Sequence, residues 1–384
     1  MESKTKQHRP HRRYLSLVLA ITIFALIASI IIFVPLLQNN SVPDEPTPDN
    51  SNIANPVNEP ETPRELPTVS PSPNDTTEQN SNTNTAAGNT SENTQSNPAT
   101  ESNWALNMIN APAAWSESTG AGVKIAILDT GVGPIDDVKV YGGYNFVDNN
   151  EDTTDRRGHG TMVASIIAAT HTNSKTGLKG VAPDAKIYAV KIIDDQGNMN
   201  INRAVAGVRW AIDNDMQIIS MSWCINDGNY ALRQVLAEAY NKGILLVAAA
   251  GNSGQIAYGV GCPAEYDTTI AVTAVKESTR QLEEACSGPQ IELSAPGEKV
   301  WVIGLDNTLY TNKGTSFATA YITGTAALVW AKNPTLTNIE VRNILCQTAT
   351  DLQPNDGLNR DIYFGYGLVN AATAVQITPN SPQP

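Results

Sequence analysis

No phenylalanine, tyrosine or tryptophan occurs between Gln38 and Asn103. Without them that tract cannot bury enough apolar surface to offset the entropy lost on ordering. Proline, asparagine, serine, threonine and glutamate dominate it, so it reads as a flexible, partly extended linker. Metal-type cysteine pairs are also missing. The four cysteines, Cys224, Cys262, Cys286 and Cys346, contain no C-x2-C unit, which excludes a zinc signature. Positive charge is in deficit. A net charge of −13 argues against a general nucleic-acid binder. There is no long internal repeat. Histidine is scarce, with four in 384 residues, and that scarcity narrows the search for a general base.

What is present divides the chain. Residues 1–13 form a basic tail, with Lys4, Lys6, Arg9, Arg12 and Arg13. Residues 14–37 are apolar, and the run from Leu15 to Leu37 carries no charge. As a helix the run spans roughly 30–35 Å, enough for a bilayer core. A cleaved signal peptide is the alternative, but its apolar core is usually shorter, about 7–15 residues. Asp44, Glu45 and Asp49 follow, and no basic residue appears before Arg64. That asymmetry keeps the N-terminus in the cytoplasm and exports the rest, giving a single-pass anchor in the cell membrane and a lipid bilayer partner at residues 14–37. Residues 38–103 are the linker, 104–378 the globular part and 379–384 a disordered tail. Export permits disulfides. Cys262–Cys286 is the expected pair, and Cys346, in a helical pattern with Ile339, Arg342 and Asn343, is expected as a buried free thiol.

In the globular part, strands and helices alternate. Val123–Leu128, Ala185–Val190, Gln217–Ser222, Ile244–Ala250 and Thr269–Val275 are near-continuous apolar strands. Between them, helical spacing runs from Gly158 through Val163 and Ile167, from Ile201 to Ile212, and from Leu232 to Tyr240. The pattern predicts an α/β, three-layer, doubly wound and mostly parallel sheet with helices on both faces. Active sites in such sheets lie at the carboxyl ends of strands. Asp129 ends the first strand, and Asn252 follows the alanine-rich one; each could equally be part of a turn. His8 and His11 fall in the basic tail and His171 in a polar loop. His159 lies between glycines at a helix start, where another group can approach closely. Ser316, in Gly314-Thr315-Ser316, opens an apolar helical pattern. A serine there is an ordinary cap, or else a nucleophile whose developing oxyanion the helix N-terminus would favour.

Asp129-Thr130-Gly131, Gly158-His159-Gly160-Thr161, Ala249-Ala250-Gly251-Asn252 and Gly314-Thr315-Ser316 occur in that order. Together they resemble the subtilisin-like serine proteases, the subtilases, whose triad order is Asp…His…Ser. The resemblance runs from Trp104 to about Val375 and includes Gly180-Val181-Ala182-Pro183 and Leu293-Ser294-Ala295-Pro296-Gly297. Ala111-Pro112-Ala113-Ala114-Trp115 and Asn145-Phe146-Val147-Asp148-Asn149 are similar to the thermitase-like branch. The resemblance implies a subtilisin-like fold and an endopeptidase acting on polypeptides as a monomer, with no cofactor in catalysis. Ser316 would be the nucleophile, His159 the base and Asp129 its orienting acid. Asn252 and the Ser316 N–H would hold the oxyanion.

By the same resemblance, Ser222, Trp223 and Cys224 would form one wall of the substrate cleft. Gly197 and Asn198 would form the other, Ala249, Ala250 and Gly251 the back of the specificity pocket, and Gly261 its base. Such a pocket, free of charge, suits an apolar residue before the scissile bond, although Cys224 stands where the family usually has glycine. Structural calcium is common in the family. Asp137 and Asn173 would serve one site, and Asp148, Asp152 and Asp155 a second. Met162, Lys313 and the run Phe317-Ala318-Thr319-Ala320 depart from the usual family residues without removing a catalytic atom. The linker cannot be the folded propeptide of many relatives, so the enzyme is expected to fold unaided and to be controlled by tethering. Two alternatives remain: a catalytically idle surface protein that grips peptides, and a secreted protease released by cleavage of the apolar run.

Overall fold

The computed structural model describes residues 103–377, apart from 174, 227, 255–258, 354–356 and 358. The basic tail, the apolar run, the linker up to 102 and the tail from 378 lie outside the described residues. Among those described, no helix is long and apolar enough to cross a membrane.

Seven strands form one sheet: β1 (Lys124–Asp129), β2 (Val140–Asn145), β3 (Lys186–Lys191), β4 (Ile218–Met221), β5 (Leu245–Ala249), β6 (Thr269–Val275) and β7 (Ile291–Pro296). Their order is β2-β3-β1-β4-β5-β6-β7, and every neighbouring pair is parallel. The predicted strands therefore stand, with ends shifted by about a residue, as is usual for boundaries. Alternate residues feed two cores. Ile125, Ile127, Ile218, Leu245, Val247, Ile270 and Val272 enter one. Ala126, Leu128, Ile219, Leu246, Ala248 and Ala271 enter the other. Fully burying a Leu, Ile or Val contributes about 1.5–3 kcal/mol, so both faces must be covered.

Helices α1 (Trp104–Met108), α2 (Ala111–Ala114), α3 (His159–Ala168) and α6 (Thr315–Lys332) belong to the first core. Helices α4 (Ile201–Asp213) and α5 (Tyr230–Asn241) belong to the second. Residues 315–330 of α6 are all buried, because the helix packs against β4, β5, β6 and β7 as well as α3. A helix apolar all round is one enclosed on every side. A hairpin of β8 (Val300–Ile303) and β9 (Leu309–Asn312), then α7 (Asn338–Gln347) and α8 (Ala371–Gln376), complete the unit.

The sequence pattern did not yield β2, β7 or the β8–β9 hairpin as strands. β2 carries Gly142 and Gly143 and lies half-open at the sheet edge. β7 carries a glutamate and ends in proline, which an edge strand tolerates. Its Glu292 is buried because Arg342 of α7 donates to it at 2.7 Å from Nε. The expected Cys262–Cys286 bridge is not formed, since no disulfide joins the four cysteines. The Cys262 thiol instead donates to Glu265 at 2.8 Å. Cys346 is free as expected, half-buried rather than fully buried, and faces Glu292.

Candidate active site

After β1 the chain builds β2 and β3 on one side and β4 on the other. The crevice opens where the winding changes direction, over the carboxyl end of β1. Asp129 is the last residue of that strand and is fully buried. Its carboxylate accepts from the Thr130 N–H at 2.7 Å, and it meets Nδ1 of His159 at 2.8 and 3.0 Å. His159 is the first residue of α3. Gly160 lets that helix approach the strand, because a Cβ there would lie 2.1 Å from the Gly131 carbonyl oxygen. Asp155 ties down the first turn. Its Oδ1 accepts from the N–H groups of Arg157 and Gly158, and its Oδ2 from the N–H and hydroxyl of Thr161. A carboxylate at a helix start also suits the dipole.

Burial disfavours the imidazolium of His159, but the charge and hydrogen bond of Asp129 act the other way and prevail. The pKa of His159 is therefore raised above the ordinary value of 6.5. With Asp129 accepting at Nδ1, Nε2 of the neutral ring is left to take a proton.

Ser316 occupies the first turn of α6 and is nearly buried, at 9% exposure. Its hydroxyl donates to the Ser222 carbonyl at 2.8 Å, while the Ser222 hydroxyl donates to the Ser316 carbonyl at 2.9 Å. The neighbouring Phe317 ring lies 5.8 Å from the His159 ring, centroid to centroid. No hydrogen bond joins Ser316 to His159 among the described residues, so the hydroxyl must leave the Ser222 carbonyl before it can donate to His159. Resting sites are commonly looser than reacting ones.

Asn252 sits beside the same turn. Its Oδ1 accepts from the Thr315 N–H at 2.9 Å and the Thr315 hydroxyl at 3.1 Å. That hydroxyl in turn accepts from the Gly251 N–H at 3.3 Å. Two donors on Oδ1 fix the amide so that Nδ2 remains free to donate. Gly314, at φ 133°, precedes the turn, and a Cβ on it would come within 3.2 Å of Nδ2. The Ser316 N–H is one of the first-turn donors that an α-helix leaves unpaired.

Two loops flank this point. Ser222, Trp223 and Cys224 follow β4, and the Trp223 indole donates to the Leu128 carbonyl of β1 at 2.9 Å. Gly197 and Asn198 follow β3 in a turn closed on Asp194, whose carboxylate accepts from the Asn198 N–H at 2.7 Å. Ala249 and Ala250 are buried at the end of β5. The Gly261 N–H donates to the Ala250 carbonyl, and a Cβ on Gly261 would meet Cys224 Cβ at 3.0 Å. At Gly251 the sulfurs of Cys286 and Cys224 lie 3.1 and 3.2 Å from the place a Cβ would take. Two thiols therefore converge at this end of the cleft.

Residues 120–367 match the Subtilase family, the S8 peptidases. Subtilisin DY of Bacillus licheniformis is 40% identical over 260 residues, which is 67% of this chain and 92% of that protein. The thermostable alkaline protease of Halalkalibacterium halodurans is 39% identical over 274 residues, covering 71% of this chain and 73% of its own. The chain belongs to the subtilase family. The crystal structure of MycP1 with its N-terminal propeptide removed superimposes with a TM-score of 0.65 at 28% identity, over 73% of this chain and 98% of that one. This subtilase is accordingly a serine endopeptidase, a hydrolase with polypeptide substrates.

The residues expected to hold calcium all make hydrogen bonds or ion pairs within this subtilase. Among the described residues no cluster of three or more His, Cys, Asp or Glu side chains could hold a metal ion. Asp137 is buried, with Oδ1 accepting from the N–H groups of Thr172 and Asn173 and Oδ2 from the Thr176 hydroxyl at 2.5 Å. The side chain of Asn173 is spent on Lys175 N–H and Asp136. Asp148 accepts from Asn145, Asp152 pairs with Arg156 at 2.9 Å, and Asp155 holds the start of α3. These contacts tie down the loops around Asp137 and the start of α3.

Sequence reasoning missed one residue that matters here and misjudged two others. Lys191 ends β3 fully buried, its amine donating to the Thr130 carbonyl and to Asp195, each at 2.7 Å. A lysine inside the apolar strand Ala189-Val190-Lys191-Ile192 was the available signal, since such a charge must be paired. Thr315 orients Asn252, and Asp155 caps the helix of His159. The sequence marked Thr315 only as part of the Gly314-Thr315-Ser316 motif and Asp155 only as a calcium candidate, not as the groups that hold Asn252 and the start of α3.

Proposed function

We propose that Ser316 is the nucleophile of peptide-bond hydrolysis, with His159 as general base and then acid and Asp129 as the group that orients it. The observation that carries this reading is the Asp129–His159 hydrogen bond at the carboxyl end of β1, beside a serine in the first turn of α6. The Ser316 hydroxyl leaves Ser222, gives its proton to Nε2 of His159 and attacks the substrate carbonyl carbon. The new oxyanion takes hydrogen bonds from Nδ2 of Asn252 and the Ser316 N–H. His159 then protonates the leaving amine, and water repeats the sequence on the acyl-enzyme. The groups all come from one chain, so the chemistry needs no second copy. The peptide lies between residues 196–199 and 222–224, its apolar side chain directed towards Cys224, Gly251 and Gly261.

The same proposal places the enzyme outside the cytoplasm on a single-pass anchor at residues 14–37. The uncharged run between a basic tail and an acidic linker supports that. The thermitase-like segments 111–115 and 145–149 support membership of that branch.

The test is labelling of the full chain with a fluorophosphonate. Adduct on Ser316, lost in Ser316→Ala and His159→Ala, is the expected result. A folded wild-type protein that retains peptides but takes no label would instead be an idle binding protein.

A further inference from the structure

Arg157 stands two residues before His159, and the catalytic scheme gives it no part. Its guanidinium lies over the opposite rim of the cleft. A Cβ on Gly197 would be 2.7 Å from Cζ of Arg157 and 2.9 Å from each Nη. The side chain thus bridges from the histidine loop to the rim that follows β3, and its charge reaches the His159 ring, where it opposes protonation.

The other charges nearby are committed. Arg156 pairs with Asp152 at 2.9 Å and lies 3.9 Å from Asp195. Asp195 takes the buried amine of Lys191. Asp194 closes its own turn on the N–H groups of Gln196 and Asn198 and the Asn198 amide. Asp155 is buried, both oxygens occupied. Arg157 itself is exposed, and among the described residues no carboxylate is paired with it. A guanidinium offers a planar fork of donors matched to a carboxylate.

Successive side chains of an extended peptide point to opposite sides. With the residue that carries the attacked carbonyl directed into the pocket at Cys224 and Gly251, the residue before it turns towards His159 and Arg157. We propose that Arg157 makes this enzyme favour substrates with aspartate or glutamate at that preceding position. The inference rests on the hydrolytic reading above and adds a substrate class to it.

The test uses the full chain and three peptides that differ only at that position, carrying Glu, Gln or Lys. The readout is the ratio of kcat/KM within each enzyme, which does not depend on the fraction folded. Wild type should cleave the Glu peptide roughly two- to fivefold better than the Gln peptide at low salt, and the Lys peptide worse, with the spread shrinking at high salt. Arg157→Gln should level the series, and Arg157→Glu should invert it. Loss of the opposing cation in Arg157→Gln should also move the acid limb of the pH profile upward. A wild-type enzyme that cuts the Gln peptide but not the Glu peptide any better overturns the inference, as does a preference that survives Arg157→Gln. Absence of all cleavage, together with absence of fluorophosphonate labelling, overturns the hydrolytic reading and this inference with it.

Discussion

Asn252 is held by Thr315 through Oδ1, which leaves one amide group to face developing charge. Asn252→Ala removes that donor while leaving the serine in place. Turnover should fall by about 10²–10³, the magnitude known for the corresponding change in subtilisin itself, with KM little altered. His159 must be neutral to act as base. Because Asp129 raises its pKa above 6.5, kcat/KM should fall as pH drops through a value above 6.5. A profile whose acid limb lies below that value would contradict the assignment. In the proposed specificity pocket, Cys224 crowds Gly251 and Gly261. Cys224→Gly should raise kcat/KM for phenylalanine relative to alanine before the scissile bond by roughly tenfold, within the range a pocket gains per methylene of fit. Competition between the two peptides measures it.

Among the elements, α3 carries the most constraint. Its first residue is the proposed base, and its second must be glycine for the helix to touch β1. Gly160→Ala would put a carbon 2.1 Å from the Gly131 carbonyl and 3.1 Å from Asp129 Cβ. The helix start must then shift away from Asp129. Overpacking of this kind costs about 1–3 kcal/mol, so calorimetry should show Tm lowered by several degrees. Activity should fall further than stability explains, because the imidazole loses its register with the carboxylate. Helix α6 has the complementary role. Buried on all sides, it brings Ser316 to the sheet and cannot tilt without unpacking β4 to β7.

At the scale of the whole molecule, the proposal is a catalytic unit on a tether. In cells expressing the full chain, the protein should stay with the membrane pellet after a carbonate wash and be digested by protease added outside intact cells. Release into the wash would favour the secreted form.

The sheet and its covering helices were legible because β1, β4, β5 and β6 are apolar on both faces, and only a parallel sheet between helices needs that. β7 was hidden by Glu292, whose burial depends on an arginine fifty positions away in the chain. The candidate triad was legible because each member sits in a short motif with its own backbone demands: glycines around His159, a strand end at Asp129, a helix start at Ser316. By itself, then, the sequence determined which residue types could do chemistry and on which kind of element each would lie, since propensity and patterning are local. Only the tertiary structure decided that Cys262 and Cys286 form no bridge, that Asp137 ties down the loop at Thr172 and Thr176, and that Arg157 leans over Gly197. Those outcomes depend on distances between segments remote in sequence, and no local pattern encodes such distances.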